Sequence, residues 1–369
     1  MPSSSRTPDP AILTALNLDP QTASIASHGG SGFSETLKLV GREREDTSGE
    51  RPDRGMERVF FVKMGKEGGM FEGEHQSLNA LSTSVPSLCP TSHAFGALSQ
   101  KPNTYFLATD FLDLSSSPSS QKPTTKPLSL ARKLAILHST PVPIPSGFSQ
   151  PQFGFPVSTY CGNTVQDNTY TDSWAEFYGV RRLRHVVQEA ERRNGADAGL
   201  RQLVEDVVAQ VVPALLRDGH LRDARTGANV TPVVVHGDLW SGNFGVARIL
   251  APAAAAVDDG GSDGVVGRRD GEVGEVVFDP SSCYAHAEYD HGIMNMFGGF
   301  GAGFWREYFK EKPKDEPVSE YEDRVDLYEL YHHLNHYSMF GGSYKGGAVS
   351  IMKRLLGKFG KGGGSEISD

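Results

Sequence analysis

Hydrophobic and polar positions alternate along the first third of the chain, which is the pattern of strands with one buried face. Residues 35–40 alternate, and residues 58–64 and 105–108 form apolar runs of strand length, so we expect strands in all three places. Residues 69–81 instead carry their Met, Phe and Leu side chains on one helical stripe. The first 112 residues are therefore predicted to form a small antiparallel sheet with one helix.

The remainder of the chain is mainly helical in its pattern. Helical spacing of apolar side chains covers residues 128–138, 174–193, 200–217, 288–297, 302–310, 321–340 and 349–359. Two short apolar runs, residues 233–235 and 275–278, interrupt these helices and predict strands that end in polar loops. We therefore expect an α+β fold of two lobes, with a small N-terminal lobe over residues 1–112 and a larger, mainly helical lobe over residues 113–369.

Two segments lack the apolar spacing that a core requires. Residues 115–127 are rich in Ser, Pro, Thr and Lys, which is typical of a linker or surface loop. Residues 251–270 are rich in Ala, Gly and Asp, and they predict a disordered insertion in a hairpin. We expect neither segment to contribute to the core.

Composition and charge exclude several classes of protein. The 369 residues include 36 Lys and Arg and 45 Asp and Glu, which gives a formal net charge of −9. This acidic balance argues against a general nucleic-acid binder.

No apolar stretch reaches the roughly 18–20 residues of a membrane span, and the N-terminal residues lack the apolar core of a secretory signal. The three cysteines are too sparse for a disulfide framework or a structural zinc site, so we expect a cytoplasmic setting.

The most specific motif follows the apolar run at residues 233–235 and has the sequence HGDLWSGN over residues 236–243. Asp238 and Asn243 are five positions apart, which resembles the spacing in the catalytic loop of protein kinases and their relatives. In that chemistry the carboxylate accepts the proton of the attacking hydroxyl, and the amide oxygen holds Mg²⁺, a cation that prefers oxygen ligands. The His-Gly-Asp triplet alone would equally suit a tight turn capped by its own side chain.

Three further elements join this motif. Asp279 ends the apolar run at residues 275–278 and would be the main magnesium ligand, although Asp-Pro pairs also start ordinary turns. Lys63, in a predicted strand, would contact nucleotide phosphates and pair with Glu74 on the next helix. The glycine-rich stretch at residues 28–34 can cover phosphates with backbone N–H groups. Each element alone is more often an ordinary surface feature, but together they follow the order that phosphoryl transfer from ATP requires.

These motifs resemble the fructosamine kinase family, a branch of the protein-kinase-like phosphotransferases. The resemblance rests on the segments FVK (61–63), MFEGE (70–74), FGF (153–155), HGDLWSGN (236–243), DPSS (279–282), MFGGF (296–300) and LYHHLNH (330–336). It implies a bilobal protein-kinase-like fold and ATP-dependent phosphorylation of the 3-hydroxyl of ketosamines, either small or on glycated proteins. The family's products shed the sugar and restore the amine, so the implied role is protein repair.

The resemblance also implies roles for individual residues. Asp238 would be the catalytic base, and Asn243 and Asp279 would bind Mg²⁺. The residues that would bind ATP are Gly29, Gly30, Ser31, Gly32, Lys63, Glu74, Asp110, Phe111 and Leu112. In this set the glycine-rich loop would cover the phosphates, and backbone groups near Asp110 and Leu112 would meet the adenine. Many relatives have a cysteine where Gly32 stands, so we expect no thiol-based control through this loop.

Polar and aromatic residues of the second lobe are candidates for binding the sugar. Trp174 follows residues 162–168, a segment that resembles a family region near the acceptor, and it would either stack on a sugar ring or pack in the core. His236, Glu288 and Asp290 are further candidates. The two carboxylates also open a predicted helix, where negative charge suits the positive helix end.

Other functions share parts of this pattern. An aminoglycoside- or choline-like phosphotransferase would use the same catalytic residues, whereas a catalytically inactive nucleotide-binding scaffold would be expected to lose some of them. A metal-dependent hydrolase built on His236, Asp238 and Asp279 would leave Lys63 and the glycine-rich loop without a role.

A group of three histidines, His332, His333 and His336, has spacing that also occurs in metal sites. However, the neighbouring leucines and tyrosines fit a buried helical stripe, and no thiol or carboxylate completes a ligand set. We therefore expect these histidines to belong to a buried helix.

Overall fold

The structure is a computed structural model, and it describes residues 6–30, 34–44, 57–114, 127–250 and 273–360. It divides into two compact units, one comprising Met1–Leu130 with Phe244–Phe278 and the other Ala131–Asn243 with Asp279–Asp369. The sequence-based division after residue 112 differs from this, because it left the segment that follows Asn243 in the second lobe. Some of the predictions fall outside the described residues. These are the predictions for Ser31 and Gly32, for the insertion at 251–270, and for the linker at 115–127 except Pro127.

The described strands and helices follow the predicted α+β order. In chain order the strands are β1 (Ser24–Ser27), β2 (Glu35–Arg42), β3 (Glu57–Gly65), β4 (Ser92–Ala97), β5 (Tyr105–Asp113), β6 (Thr159–Cys161), β7 (Thr164–Gln166), β8 (Val233–Val235), β9 (Phe244–Leu250), β10 (Val273–Val277) and β11 (Cys283–Ala285). The helices are α1 (Pro10–Ala15), α2 (Gly68–Ser84), α3 (Leu130–Leu137), α4 (Trp174–Glu176), α5 (His185–Asn194), α6 (Ala198–Asp206), α7 (Val212–Leu216), α8 (Tyr289–Phe297), α9 (Ala302–Glu311), α10 (Tyr321–Phe340) and α11 (Tyr344–Phe359).

An antiparallel sheet is the centre of the first unit. Its strand order is β1-β2-β3-β5-β9-β10, and β4 also pairs with β5. Leu37 and Leu39 of β2 and Phe60 and Val62 of β3 are fully buried, because alternate side chains of each strand point to the same face. The sequence predicted β2, β3 and β5 but not β4, whose Ser, His and Gly positions weaken the apolar alternation.

The second unit is mainly helical. The helix predicted over residues 174–193 is interrupted by a π-helical segment, Phe177–Arg184, between α4 and α5. Arg182 lies buried in this segment, where its guanidinium donates to the backbone oxygen of Asp167 and to Asn168 Oδ1, both within 2.8 Å. The π-helical turn therefore places the Arg182 guanidinium where it binds the loop that contains Asp167 and Asn168. Among the described residues, no helix is both long and apolar enough to cross a membrane.

A buried network of charged groups ties the helices of the second unit together. Glu288 accepts hydrogen bonds from Arg324 of α10 at 2.7 and 3.1 Å and from the Asp315 backbone N–H at 2.9 Å. Asp315 in turn pairs with His286 at 2.9 Å and with Lys312 at 2.8 Å. Because both charges of the Glu288–Arg324 pair are buried, loss of one partner would leave the other without compensation.

We expect Arg324→Gln to lower the free energy of unfolding by about 3–5 kcal/mol, because Glu288 keeps its buried charge and loses its partner. The matched control is Arg354→Gln, which breaks a pair of the exposed Arg354 with the partly buried Asp326 and should cost at most about 1 kcal/mol. Urea unfolding followed by tryptophan fluorescence measures both, since Trp174, Trp240 and Trp305 all lie in the second unit. Equal losses in the two variants would contradict the assignment.

Candidate active site

The HGDLWSGN motif begins where a buried strand ends. All three valines of β8 are buried, and β8 pairs with β11 in an antiparallel arrangement that sets Val235 opposite Cys283. The chain then leaves the strand at His236, so the loop starts from a fully buried segment.

One buried carboxylate fixes the start of this loop. Asp290, in the first turn of α8, accepts the His236 backbone N–H at 2.8 Å and the Gly237 backbone N–H at 2.7 Å. His138 Nε2 lies 3.2 Å from the same carboxylate. Burial alone would raise the pKa of Asp290, but the hydrogen bond and charge of His138 and the N–H donors hold it below its usual value. Asp290 therefore stays ionised and anchors the loop.

The loop also lies directly against the segment that contains Asp279. The Ser281 backbone N–H donates to the His236 oxygen at 2.8 Å. Gly237 has a φ of +82°, and a Cβ at this position would be 2.0 Å from the Ser281 backbone oxygen. Asp279 itself adopts a φ of +57°, which is uncommon for a residue other than glycine. This close backbone approach brings the two candidate motifs of the second unit together.

Asp238, Asn243 and Asp279 form the polar part of this loop region. Asn243 Nδ2 donates to the Asp238 backbone oxygen at 2.8 Å and lies 3.3 Å from Asp238 Oδ2. Burial, followed by the negative charge of Asp279, raises the pKa of Asp238 to about 8, against the lowering effect of the Asn243 hydrogen bond. The structure thus brings the predicted base and the two predicted metal ligands into one electrostatically coupled group, which lies within the second unit.

Lys63 and Glu74, which were predicted to pair, are in contact in the first unit. Lys63 Nζ on β3 lies 2.6 Å from Glu74 Oε1 on α2, and both side chains are largely buried. In β3 the neighbours Val62 and Met64 are buried on the opposite face, which leaves Lys63 on the other side of the sheet. The ion pair therefore holds the Lys63 ammonium group at a defined place on this sheet.

The remaining predicted nucleotide-binding residues of the first unit lie near the end of β5. The rings of Phe111 and His28 are 4.9 Å apart, and Lys38 Nζ lies 4.7 Å from the Phe111 ring centre. Phe111 and Leu112 pair with β9.

The side chain of Asp110 has structural partners. It is fully buried and accepts the Thr91 backbone N–H at 2.8 Å, with His93 Nε2 also 2.8 Å away. Of the predicted glycine-rich loop, Gly29 and Gly30 are described, and Gly29 has the left-handed φ of +69° that a tight hairpin requires.

The residues predicted to bind the sugar are all buried in the second unit. Trp174 is 0% exposed, and its Nε1 donates to Tyr328 Oη at 2.9 Å, so its packing is that of a core side chain. Glu288 belongs to the buried ion network, and Asp290 and His236 belong to the base of the loop. From these contacts, their direct effect is on the position of the loop and its supporting helices.

An exposed tryptophan inside the motif is a candidate that residue-type reasoning left without a role. Trp240 lies two positions after Asp238 and is 38% exposed. Its ring packs 5.7 Å from the ring of Phe297, and the absence of a Cβ at Gly242 makes room for it. A tryptophan in a polar loop, two positions after the candidate carboxylate and outside any apolar stripe, is the signal that could have identified it from the sequence.

The fold and the loop together define a class of protein. A crystal structure of a candidate fructosamine-3-kinase from Thermobifida fusca matches with a TM-score of 0.61 at 22% identity, covering 91% of this chain and 94% of that one. This likeness shows the fold, which is a protein-kinase-like α+β fold.

Sequence comparison then gives the family. The fructosamine kinase family model matches residues 52–358, so the chain belongs to the fructosamine kinase family. The protein-ribulosamine 3-kinase of Arabidopsis thaliana, named as chloroplastic, is 32% identical over 299 residues, which is 80% of this chain and 76% of that protein. The ketosamine-3-kinase of Mus musculus is 32% identical over 204 residues, covering 55% of this chain and 54% of that protein.

We expect Gly237→Ala to destabilise the second unit and distort the loop, because the new Cβ would meet the Ser281 oxygen and the positive φ would be strained. The expected loss is about 2 kcal/mol or more in the free energy of unfolding. Gly303→Ala is the control, because a Cβ at Gly303 in α9 meets no atom within 4 Å and alanine favours a helix. A Gly237→Ala variant as stable as Gly303→Ala in thermal unfolding would contradict the close approach.

Proposed function

We propose that this chain is an ATP-dependent kinase that phosphorylates the 3-hydroxyl of ketosamines, either small or formed on protein lysines. The observation that supports this most directly is the coupled group of Asp238, Asn243 and Asp279 on a loop anchored by Asp290. Membership of the fructosamine kinase family supports the same reaction class.

Asp238 would accept the proton of the attacking hydroxyl. Its carboxylate lies on a loop whose backbone is fixed at both His236 and Gly237, so its position is set before substrate binds. Because its pKa is raised, the ionised form of Asp238 is a stronger base than an ordinary carboxylate. Asn243 holds the Asp238 side chain through its amide nitrogen.

Asn243 and Asp279 are the residues that would hold Mg²⁺. An amide oxygen and a carboxylate are the oxygen ligands that this ion prefers. The fit is supported by the pKa of Asp238, which the charge of Asp279 raises, since a divalent cation held by Asp279 would offset that charge. When bound, Mg²⁺ would neutralise charge that develops on the transferred phosphoryl group.

Lys63 would contact the phosphates of ATP. Its ion pair with Glu74 would keep the ammonium group in one place, which a flexible lysine side chain does not achieve alone. Phe111, with the neighbouring His28 and Lys38, would offer an aromatic surface beside the adenine.

Trp240 would bind the acceptor. A ketosamine joins a sugar to an amine that is protonated at neutral pH, and an exposed indole ring suits both parts through packing and a cation–π contact. Transfer to the 3-hydroxyl would give a product that loses its sugar and restores the lysine amine, which makes deglycation the proposed role.

We expect the purified chain with ATP and Mg²⁺ to phosphorylate ribulose-, psicose- or fructose-lysine adducts at the 3-hydroxyl, as located by phosphorus NMR. Asp238→Asn should lower kcat by about 10²–10⁴-fold with little change in nucleotide binding, because it removes the base without removing the site. Asp218→Asn, an exposed aspartate of the same unit, is the matched control. Transfer to aminoglycosides or choline but not to the adducts, or parent activity in Asp238→Asn, would overturn the proposal.

We expect Glu74→Gln to raise the KM for ATP and lower kcat/KM by about tenfold, because Lys63 loses the charge that positions it. Glu72→Gln, on the same helix, serves as the control and should leave both values near those of the parent. Steady-state kinetics at varied ATP concentration distinguishes the two variants. Equal changes in KM and kcat/KM for Glu74→Gln and Glu72→Gln would show that the Lys63–Glu74 pair has no role in nucleotide binding.

A further inference from the structure

A thiol, a carboxylate and an imidazole come together beside the HGDLWSGN loop of the second unit. Cys161 Sγ, a carboxylate oxygen of Asp238 and a ring nitrogen of His332 all lie within 4.8 Å of one another. Cys161 ends β6, and His332 lies in α10, so three separate segments supply the three groups. Cys161 and Asp238 are both distant from His332 in sequence, so the fold brings this thiol and this carboxylate to it.

His332 has an unused capacity to bind a ligand. Its side chain is 0% exposed, and within the described part of the chain neither ring nitrogen has a hydrogen-bond partner. A buried polar group without a partner is unfavourable, so such groups usually have a function or a ligand. Burial, followed by the charge of His336, lowers the pKa of His332 to about 3, so the ring is neutral and offers a lone pair.

We propose that Cys161, Asp238 and His332 bind Zn²⁺ or another thiophilic divalent cation, and that this cation inhibits the enzyme by occupying Asp238. Thiolate, imidazole and carboxylate are zinc ligands, and a water molecule would complete a tetrahedral site. Mg²⁺ prefers oxygen ligands alone, so the proposed site is chemically distinct from that of Asn243 and Asp279. The inhibitory effect rests on the proposed function, whereas the binding of the cation does not.

Charge and proton balance fit a divalent cation. Burial raises the pKa of Cys161 well above its usual value, and the thiol donates a hydrogen bond to Asp238. Cation binding would form a metal–sulfur and a metal–oxygen bond and would release to solvent the thiol proton and the proton of any Asp238 that is protonated. The resulting thiolate and the Asp238 carboxylate then carry two negative charges that match the cation. The nearby charge of Arg182 favours the thiolate form of Cys161.

The three ligand atoms are close enough together to bind one zinc ion, and the partly exposed Asp238 gives a cation access to them. Ligand atoms of a tetrahedral zinc ion lie about 3.5 Å apart, so small side-chain movements suffice to bring these three atoms into place. Cys161 and His332 are buried, whereas Asp238 is partly exposed. A cation would therefore enter past Asp238, and the catalytic carboxylate would be the first ligand it meets.

The first test measures binding without activity. Co²⁺ takes the place of zinc in tetrahedral sites and gives a thiolate-to-cobalt charge-transfer band in the near ultraviolet. We expect the full chain, freed of metal with a chelator, to show this band on Co²⁺ titration, and Zn²⁺ to abolish it. Cys161→Ser should lose the band, and His332→Gln should weaken Co²⁺ binding by at least about tenfold. Cys89→Ser removes a buried thiol of the first unit and should keep the band.

The second test measures inhibition under saturating MgATP and ketosamine, with each variant compared with its own zinc-free rate. We expect Zn²⁺ to inhibit the parent and Cys89→Ser at the same concentration, and to inhibit Cys161→Ser only at concentrations at least about tenfold higher. Absence of a thiolate band in the parent would overturn the site, and equal zinc sensitivity in Cys161→Ser would overturn the inhibition. A cobalt band in a chain without ketosamine kinase activity would refute the proposed function and leave the cation site standing.

Discussion

The geometry of the candidate active site depends on one buried carboxylate that holds two backbone N–H groups. Asp290 accepts both the His236 and the Gly237 N–H, and these bonds fix the turn by which the chain leaves β8. The turn in turn requires a residue without a side chain at position 237, since the Ser281 backbone oxygen occupies the space of a Cβ. Everything that follows, from the position of Asp238 to its coupling with Asp279, is set by this anchor.

Asp238 and Asp290 show how the fold gives one residue type two roles. Burial raises the pKa of both carboxyls, and the partners decide the result. Asp290 receives backbone N–H donors and the charge of His138, so its pKa falls and it stays ionised. Asp238 faces the negative charge of Asp279, which adds to the effect of burial, so its pKa rises to about 8. The first arrangement suits an anchor and the second a proton acceptor.

The sequence could predict those parts of the site that are local along the chain. The five-residue spacing of Asp238 and Asn243 lies within one loop, and Lys63 and Glu74 are only eleven positions apart on a consecutive strand and helix, so their patterns carried the information. Most of the strands and helices followed from apolar periodicity for the same reason, whereas the placement of residues 244–278 in the first unit did not.

What sequence reasoning missed are contacts between distant segments. The partner of β8 is β11, and the anchor of the loop is Asp290, 54 positions after His236. Periodicity shows that Trp174 lies on an apolar stripe, but whether that stripe faces a ligand or the core depends on Tyr328, which is 154 positions away. Such pairings are set by tertiary packing, for which a single sequence carries no direct signal.

The electrostatic state of Asp238 links the proposed reaction to the proposed inhibition. A carboxylate that is destabilised by burial and by a second carboxylate gains more from a nearby cation than a solvated one does. Asn243 and Asp279 carry oxygen atoms, whereas Cys161 and His332 carry sulfur and nitrogen atoms near Asp238. Since hard and soft cations divide between such ligand sets, the chemistry of these neighbours would decide which cation assists Asp238 and which one blocks it.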